Sequence, residues 1–481
     1  MHNSQRKLQK SAYDKALKSS FLTTTSVLSL AGVVFGMGMH SSPALALDNN
    51  ALPTGAKVSG GQADIQTPSM NAKGQNQLTI NQKTGRVIID YDTFNIGQNA
   101  KVRFQQKTSD VAVNRTDNLG APSQILGSLK ADGSIFILNP NGVLFGQSSR
   151  IDVGSIVAST GRLADEQAFL NGTGNIDLID IDQNPGAEII NNANMTISQG
   201  GLAALVAPHV RNDGIINASL GRIELASASA VTLDMFGDGL IEIAAPSDIK
   251  AQITQNGTLQ ADGGVVHMTA SAAENVVDSV INVDGVTKAN SFDSQGGKIV
   301  LKGEGSTDIK VAGDLNAIAP AGGGDIEMRA RDIEVTENAT VDASATETGN
   351  GGSIIAFAER DGFYAGDFLA TGGAQAGDGG FIETSAKRVI GIQASVDTSS
   401  PEGEAGEWLI DPRNLIIWDT VNVRLDDQGN LFEPLSTAPV ANFNSFLDTG
   451  TLLNALATNG HVIVQTVDDG TAGAGYIRVD S

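Results

Sequence analysis

The sequence predicts an all-β chain wound as a right-handed parallel β-helix, a β-solenoid carrying short extra-helical β elements. Three observations predict it. A Gly, often doubled, opens a short apolar run at Gly201, Gly221, Gly239, Gly264, Gly297, Gly324, Gly352, Gly380 and Gly406. Successive openings lie 18 to 33 residues apart, a period typical of stacked repeats built from strand units. The 481 residues include 56 Gly but 13 Pro and 5% aromatics, a balance that favours dense turns over helices. The apolar runs themselves are short and rich in Ile and Val, as buried strands are.

One coil cannot bury its inward Ile, Val and Leu alone. Stacked coils pair every backbone donor with the rung above or below, at about 4.8 Å per rung. At about 20–25 residues per coil, the chain is expected to make roughly 18–20 coils and a rod of about 90 Å. Gly marks corners because it takes positive φ without strain. Second strands within the coils are expected at Ala193–Ile197, Val231–Met235 and Ala339–Val341.

Residues 1–46 read as an extended signal peptide. Arg6, Lys7, Lys10, Lys15 and Lys18 precede the mostly apolar Phe21–Met39, and Ala44-Leu45-Ala46 is a small-x-small cleavage site. Cleavage is expected after Ala46. No later segment is apolar enough to span a membrane. The net charge is −23, and −27 once the +4 leader is removed. Such acidity argues against nucleic acid, whose binding rests on neutralising phosphates, and against anionic membrane surfaces. With 0 Cys, disulfides and thiolate metal sites are excluded. An exported chain gains from this, because a disulfide closed in the periplasm would lock a loop before the chain threads a narrow pore.

Ser134–Ala158, SIFILNPNGVLFGQSSRIDVGSIVA, is the most ordered stretch in pattern, with three apolar runs separated by turns. Asn139-Pro140-Asn141-Gly142 suits a type I turn: Pro140 presets φ, Asn tolerates tight geometry, and Gly142 has no Cβ. Together with INQKTGRVIIDYDTFNIGQNAKVRFQQ (Ile80–Gln106) and GGLAALVAPHVRNDGIINASLGRIELAS (Gly200–Ser227), this stretch resembles the secretion domain of two-partner-secretion exoproteins, the filamentous-haemagglutinin (TpsA) family. The resemblance covers roughly residues 50–290, and the domain is placed at 47–293. GEWLIDPRNLII (Gly406–Ile417) resembles a segment found downstream of that domain in large adhesins, with Trp408 packing at a coil junction. Residues 294–481 are expected to be further coils, continuing beyond Ser481.

Short departures from the strand pattern are expected too. Arg162–Asn171 reads as a helix ended by Gly172, and Leu452–Thr458 as one stopped by Asn459-Gly460. Ile176–Asp182 reads as a strand whose Asp177, Asp180 and Asp182 form a solvated face.

No catalytic constellation is evident, and the chain is expected not to be an enzyme. His209, His267 and His461 sit far apart, outside any HExxH pattern. No metal or cofactor is expected. The one enzyme alternative is a β-helix polysaccharide lyase or hydrolase, with Asp90/Asp92 or Asp177/Asp180/Asp182 as its carboxylates.

The resemblance implies the rest. The Sec machinery exports the chain, and the POTRA domains of an outer-membrane TpsB-type transporter recognise it. Asn139, Pro140, Asn141 and Gly142 contribute to that recognition or to the fold presenting it. The product is secreted or displayed at the surface of a Gram-negative cell. A filamentous-haemagglutinin-like adhesin meeting surface glycans or proteins is the first expectation. A contact-dependent growth inhibition toxin carrier, or a cytolysin or haem-binding exoprotein, is the alternative.

Overall fold

The computed structural model describes residues 47–71, 74–116, 120–172, 175–233, 242–276, 278–291, 296–412, 415–418, 445–458, 461–466 and 477–480. The predicted leader, with Ala44 and Ala46, lies outside them, as do Arg413, Asn414, Asn459 and Gly460. The described chain is a parallel β-helix with three faces.

The first face begins at Arg86–Tyr91 and ends at His461–Val464. Twelve successive parallel pairings give thirteen stacked strands among the described residues. The predicted Gly openings land here. Gly201, Gly221, Gly264, Gly297, Gly324, Gly352, Gly380 and Gly406 each immediately precede one of these strands. The register holds one inward row, running Val87, Ala112, Ile135, Ile156, Ala203, Ile223, Val266, Ile299, Ile326, Ile354, Ile382 and Trp408. All of these are buried in a single core. The row continues to Val462 on the last rung, and Trp408, one rung before it, donates its Nε1–H to Thr384 Oγ1 at 2.9 Å.

A second face runs from Ser123–Ile125 through Gly142–Phe145 to Ile477–Asp480. The third is a separate sheet from Asn76–Gln82 to Ser395–Asp397. Lys57–Gly60 and Ala63–Ile65 pair antiparallel with Arg86–Tyr91 and Asn76–Gln82, and so cover the first rung's edges.

Thirteen strands at about 4.8 Å span about 60 Å, shorter than the rod expected from the sequence. Two features raise the chain used per rung: the coils from Gly297 to Gly406 take 26 to 28 residues each, and a side layer consumes chain without adding rungs. Arg162–Leu163, Ile176–Ile179, Ala230–Leu233 and Glu242–Ala245 form a four-stranded antiparallel sheet beside the coil. Val231–Met235 is therefore no coil strand where it is described; Gly239 lies outside the described residues, and Glu242–Ala245, the described part of the run it opens, is no rung. The apparent spacings around Gly239 merge into one coil carrying an excursion. A short apolar run after Gly reads alike whether the chain climbs or folds back.

The predicted helix at Arg162–Asn171 is shorter. Helix α1 spans Glu166–Asn171, because Asp165 caps its first N–H groups at Gln167 and Ala168, and Gly172 closes it at φ 72°. Arg162 and Leu163 instead pair with Ile179 and Leu178. Helix α2, Thr449–Thr458, begins three residues earlier than predicted and packs against Ser395–Asp397.

The side layer explains a sequence signature. Ser134–Leu138, Ser155–Ser159 and Leu202–Val206 are buried at every position, whereas Asp325–Val335 mostly alternates. The outward row Ile88, Val113, Phe136, Val157 and Ala204 packs with Leu163, Phe169, Ile176, Leu178, Val231 and Leu233 in a second core. Strands covered on both sides read as unbroken apolar runs, and strands covered on one side read as alternation.

One corner departs from its neighbours. The residue before the opening Gly is Gly200 (φ 77°) and Gly263 (φ 69°) in flanking rungs, but Leu220 (φ 53°) between them. A non-Gly residue held left-handed costs about 1–2 kcal/mol, and an added Gly loses about 0.5–1 kcal/mol of backbone entropy. Leu220 is 55% exposed, so little burial offsets the strain. Leu220→Gly is expected to raise the unfolding midpoint in urea, and a lower midpoint would show that the side chain has a packing role.

Candidate functional site: the Asn139–Gly142 corner

The Asn139–Gly142 turn joins the first face to the second. Gly142 N–H donates to Asn139 O at 2.9 Å, closing the expected four-residue turn. Asn141 N–H donates to Asn139 Oδ1, also at 2.9 Å. The Asn139 Nδ2 group donates to Ala121 O at 3.1 Å and to Ser123 Oγ at 3.0 Å, both in the preceding rung. Its backbone N–H donates to Ser159 O at 2.9 Å in the following one. Asn139 is therefore a three-rung clamp, and it is 1% exposed. Gly142 stands at φ 105°, and a Cβ there would meet Glu188 O at 2.3 Å. Only Pro140 and Asn141 are half-buried. The corner is built to hold rungs together, and its outer two residues are what it presents.

Of the acidic residues weighed for catalysis, Asp92 is exposed, and Asp90, Asp177, Asp180 and Asp182 are committed to structure. Arg115 donates from Nε to Asp90 and from Nη1 to Glu166, both at 2.5 Å, tying the coil to α1. Asp177 accepts from Thr232 Oγ1 at 2.7 Å, Asp180 from Arg162 Nε at 2.5 Å, and Asp182 from Ser247 Oγ at 2.8 Å. These three carboxylates pin the side layer and are not a bare solvated face. A groove does run up the glycine corner past Asp325, Ser353, Phe381 and Glu407. Three rung steps separate Asp325 from Glu407, about 14 Å. That exceeds the roughly 5–9.5 Å a glycosidase pair needs. Among the described residues no group of three or more His, Asp or Glu is arranged to hold a metal ion.

Two polar ladders run up the coil. Asn191 Nδ2 donates to Asn212 Oδ1, and Asn212 Nδ2 to Gln255 Oε1, each at 2.7 Å and fully buried. The second is a staircase of ion pairs, Arg331 to Asp308, Arg360 to Asp332 and Arg388 to Asp361, each bidentate. The Arg-Asp dipeptides at 331–332 and 360–361 repeat at nearly the glycine period, which is the signal that would have found them. The arginines are partly solvated, so each pair contributes only about 0–1 kcal/mol.

Glu224 is a buried carboxylate outside these ladders. It lies 2% exposed on the first face, with His267 Nδ1 at 3.3 Å in the next rung. Burial pushes its pKa above the ordinary 4.5, while His267 and Arg222 pull it back. A carboxyl that holds its proton more tightly when folded supports the fold at pH below 4.5, and that support is lost as pH rises through the raised value. Glu224→Gln is therefore expected to raise the urea midpoint at pH 7, with the gain vanishing toward pH 4. An equal gain at both pH values would rule the titration out.

The TPS secretion domain family model matches residues 51–317, more than half of the chain. The chain belongs to this family. That is the family of TpsA exoproteins, and the matched part is their secretion domain. The family domain contains the Asn139–Gly142 corner and the whole side layer. The exoprotein is 27% identical over 440 residues to a heme/hemopexin-binding protein of Haemophilus influenzae (strain ATCC 51907 / DSM 11121 / KW20 / Rd), covering 89% of this chain and 42% of that protein. A second Haemophilus influenzae protein of that description is 40% identical over 85 residues, covering 18% of this chain and 9% of its own length. The chain thus spans less than half the length of the curated relatives it matches. The crystal structure of the HMW1 secretion domain from Haemophilus influenzae superposes with a TM-score of 0.53 at 23% identity, covering 75% of this chain and 100% of that one. That likeness confirms the β-helix. No helix among the described residues is long and apolar enough to cross a membrane.

Proposed function

We propose that residues 47–293 are the export address of a surface-displayed rod, and that residues 294–481 begin the rod itself. Residues 1–46 direct Sec export and are removed after Ala46, with Ala44 and Ala46 read by the peptidase. In the periplasm the POTRA domains of the transporter take the unfolded chain, and its open strand edges suit β-augmentation. Asn139–Gly142 contributes by closing the corner once the chain emerges. The observation that carries this reading is a family match over residues 51–317 that includes a turn whose Asn139 is 1% exposed. So interior a residue supports a role in folding or in the unfolded encounter, not as a docking knob on the finished surface.

The rod's task is that of an adhesin, displayed toward host or bacterial surface glycans and proteins, and it is not enzymatic. A second reading is capture of haem or hemopexin, favoured by the relative that aligns with 89% of this chain. To test both, the chain is expressed with and without its transporter, and the medium is assayed. Secretion is expected only with the transporter, and equal release without it would overturn the address. The secreted chain is then offered host cells, haem and hemopexin. Cell binding without a Soret shift or hemopexin capture supports the adhesin, and the converse supports the second reading.

A further inference from the structure

The second face changes its order at the segment Gly406–Ile417. On the first face Phe381–Ala386, Glu407–Ile410 and His461–Val464 stack in chain order. On the second face the order is Val389–Ile392, then Ser445–Asp448, then Leu415–Trp418, then Ile477–Asp480. A later strand is inserted beneath an earlier one. The step is local. Asp411 N–H still donates to Ser385 Oγ at 3.2 Å, and Pro412 still bridges Ala386 in the rung below. Leu415 already lies one rung further on.

The chain's own spacing points to the other arrangement. In the three coils immediately before it, the aligned inward residue of the second face follows the start of the first-face strand by eight or nine positions: Ile333 after Asp325, Gly362 after Ser353, Ile390 after Phe381. Leu415 follows Glu407 by the same interval. By that offset Leu415–Trp418 belongs directly upon Val389–Ile392. Leu-Ile-Ile-Trp also matches a buried parallel strand better than Ser-Phe-Leu-Asp does. What holds the inserted strand is specific: Ser445 Oγ accepts from Ile390 N–H at 2.9 Å, and Leu447 is buried in the core.

We propose that Leu415–Trp418 and Ser445–Asp448 compete for the same edge, Val389–Ile392, so that this part of the coil has two orders. The sequential order, with 415–418 on 389–392, forms first, because it closes the shorter loop. The inserted order replaces it when 445–464 arrives, and 415–418 moves up one rung. The coil can therefore pause at this point with every finished rung paired.

The absence of cysteine makes the test direct. In the full chain, Gly391→Cys with Phe446→Cys reports the inserted order, whose register pairs those residues. Gly391→Cys with Ile416→Cys reports the sequential one. Adjacent parallel strands bring Cα atoms within disulfide range. Glu383→Cys with Leu409→Cys, paired on the first face in either order, shows that the coil has stacked. During refolding under a brief oxidising pulse, the 391–416 bond is expected to lead and then yield to 391–446. Adding Leu447→Asp buries a carboxylate in the inserted order only. It is expected to raise the equilibrium 391–416 yield at least about tenfold. Formation of 383–409 without 391–416, at early times and in Leu447→Asp alike, would overturn the proposal.

Discussion

Phe136→Ala is expected to lower the unfolding free energy by about 3–5 kcal/mol. The ring is fully buried and faces away from the main core. Its register neighbours Val113 and Val157 flank it in the adjoining rungs, and Leu163, Phe169 and Leu178 lie in the same cluster. Truncation leaves a cavity at the joint between coil and side layer, which cannot collapse without shifting both. The loss is expected to be local at first, with protease cutting within residues 160–185 before the coil unfolds. Phe357 supplies the contrast. It lies on the same face beyond the side layer, half-buried, with Arg329 5.3 Å and Lys387 5.9 Å from its ring centroid. Phe357→Ala is expected to lower stability by less than about 1.5 kcal/mol. Equal losses for the two variants in urea unfolding would show that the side layer does not anchor on Phe136.

Asn139→Ala is expected to lower stability by about 2–5 kcal/mol. Its side chain donates twice and accepts once, and each buried group left without a partner costs about 1–3 kcal/mol. Pro140→Ala leaves those bonds in place and is expected to change stability by under about 1 kcal/mol. Secretion separates a folding role from a recognition role. If the corner acts by closing the coil, Asn139→Ala reduces secreted protein and Pro140→Ala does not. If it is read as exposed sequence, both variants fail alike. An Asn139→Ala chain that unfolds at the parent's urea concentration and is secreted normally would remove the clamp and its export role together.

The coil was legible because its physics is periodic. Each rung must turn, so Gly recurs; each must bury one row, so Ile, Val and Leu recur beside it. Eight of the nine predicted Gly openings head a first-face strand, and the Asn139–Gly142 turn forms where NPNG stands. What was not legible concerns direction and partnership. The run after Gly239 has the same local composition as a rung but pairs antiparallel in the side layer, since pattern carries no sign for climbing or folding back. Arg162 and Leu163 look helical locally because their partners, Ile179 and Leu178, are distant in sequence. The interior position of Asn139 was hidden for a similar reason. A polar residue beside Pro looks like surface until Ala121 and Ser123 are brought beneath it.

The side layer has a temporal consequence. The strands it shields, from Arg86–Tyr91 to Leu202–Val206, are older in the chain than much of their shield, whose described packing residues run from Leu163 to Ile181 and from Ala226 to Leu233. A polypeptide delivered amino-end first thus carries a greasy wall of Ile88, Val113, Phe136 and Val157 until its lid is synthesised and docks. Throughout that interval premature closure invites clumping, so a holder that keeps these strands extended protects the traveller as much as it guides it.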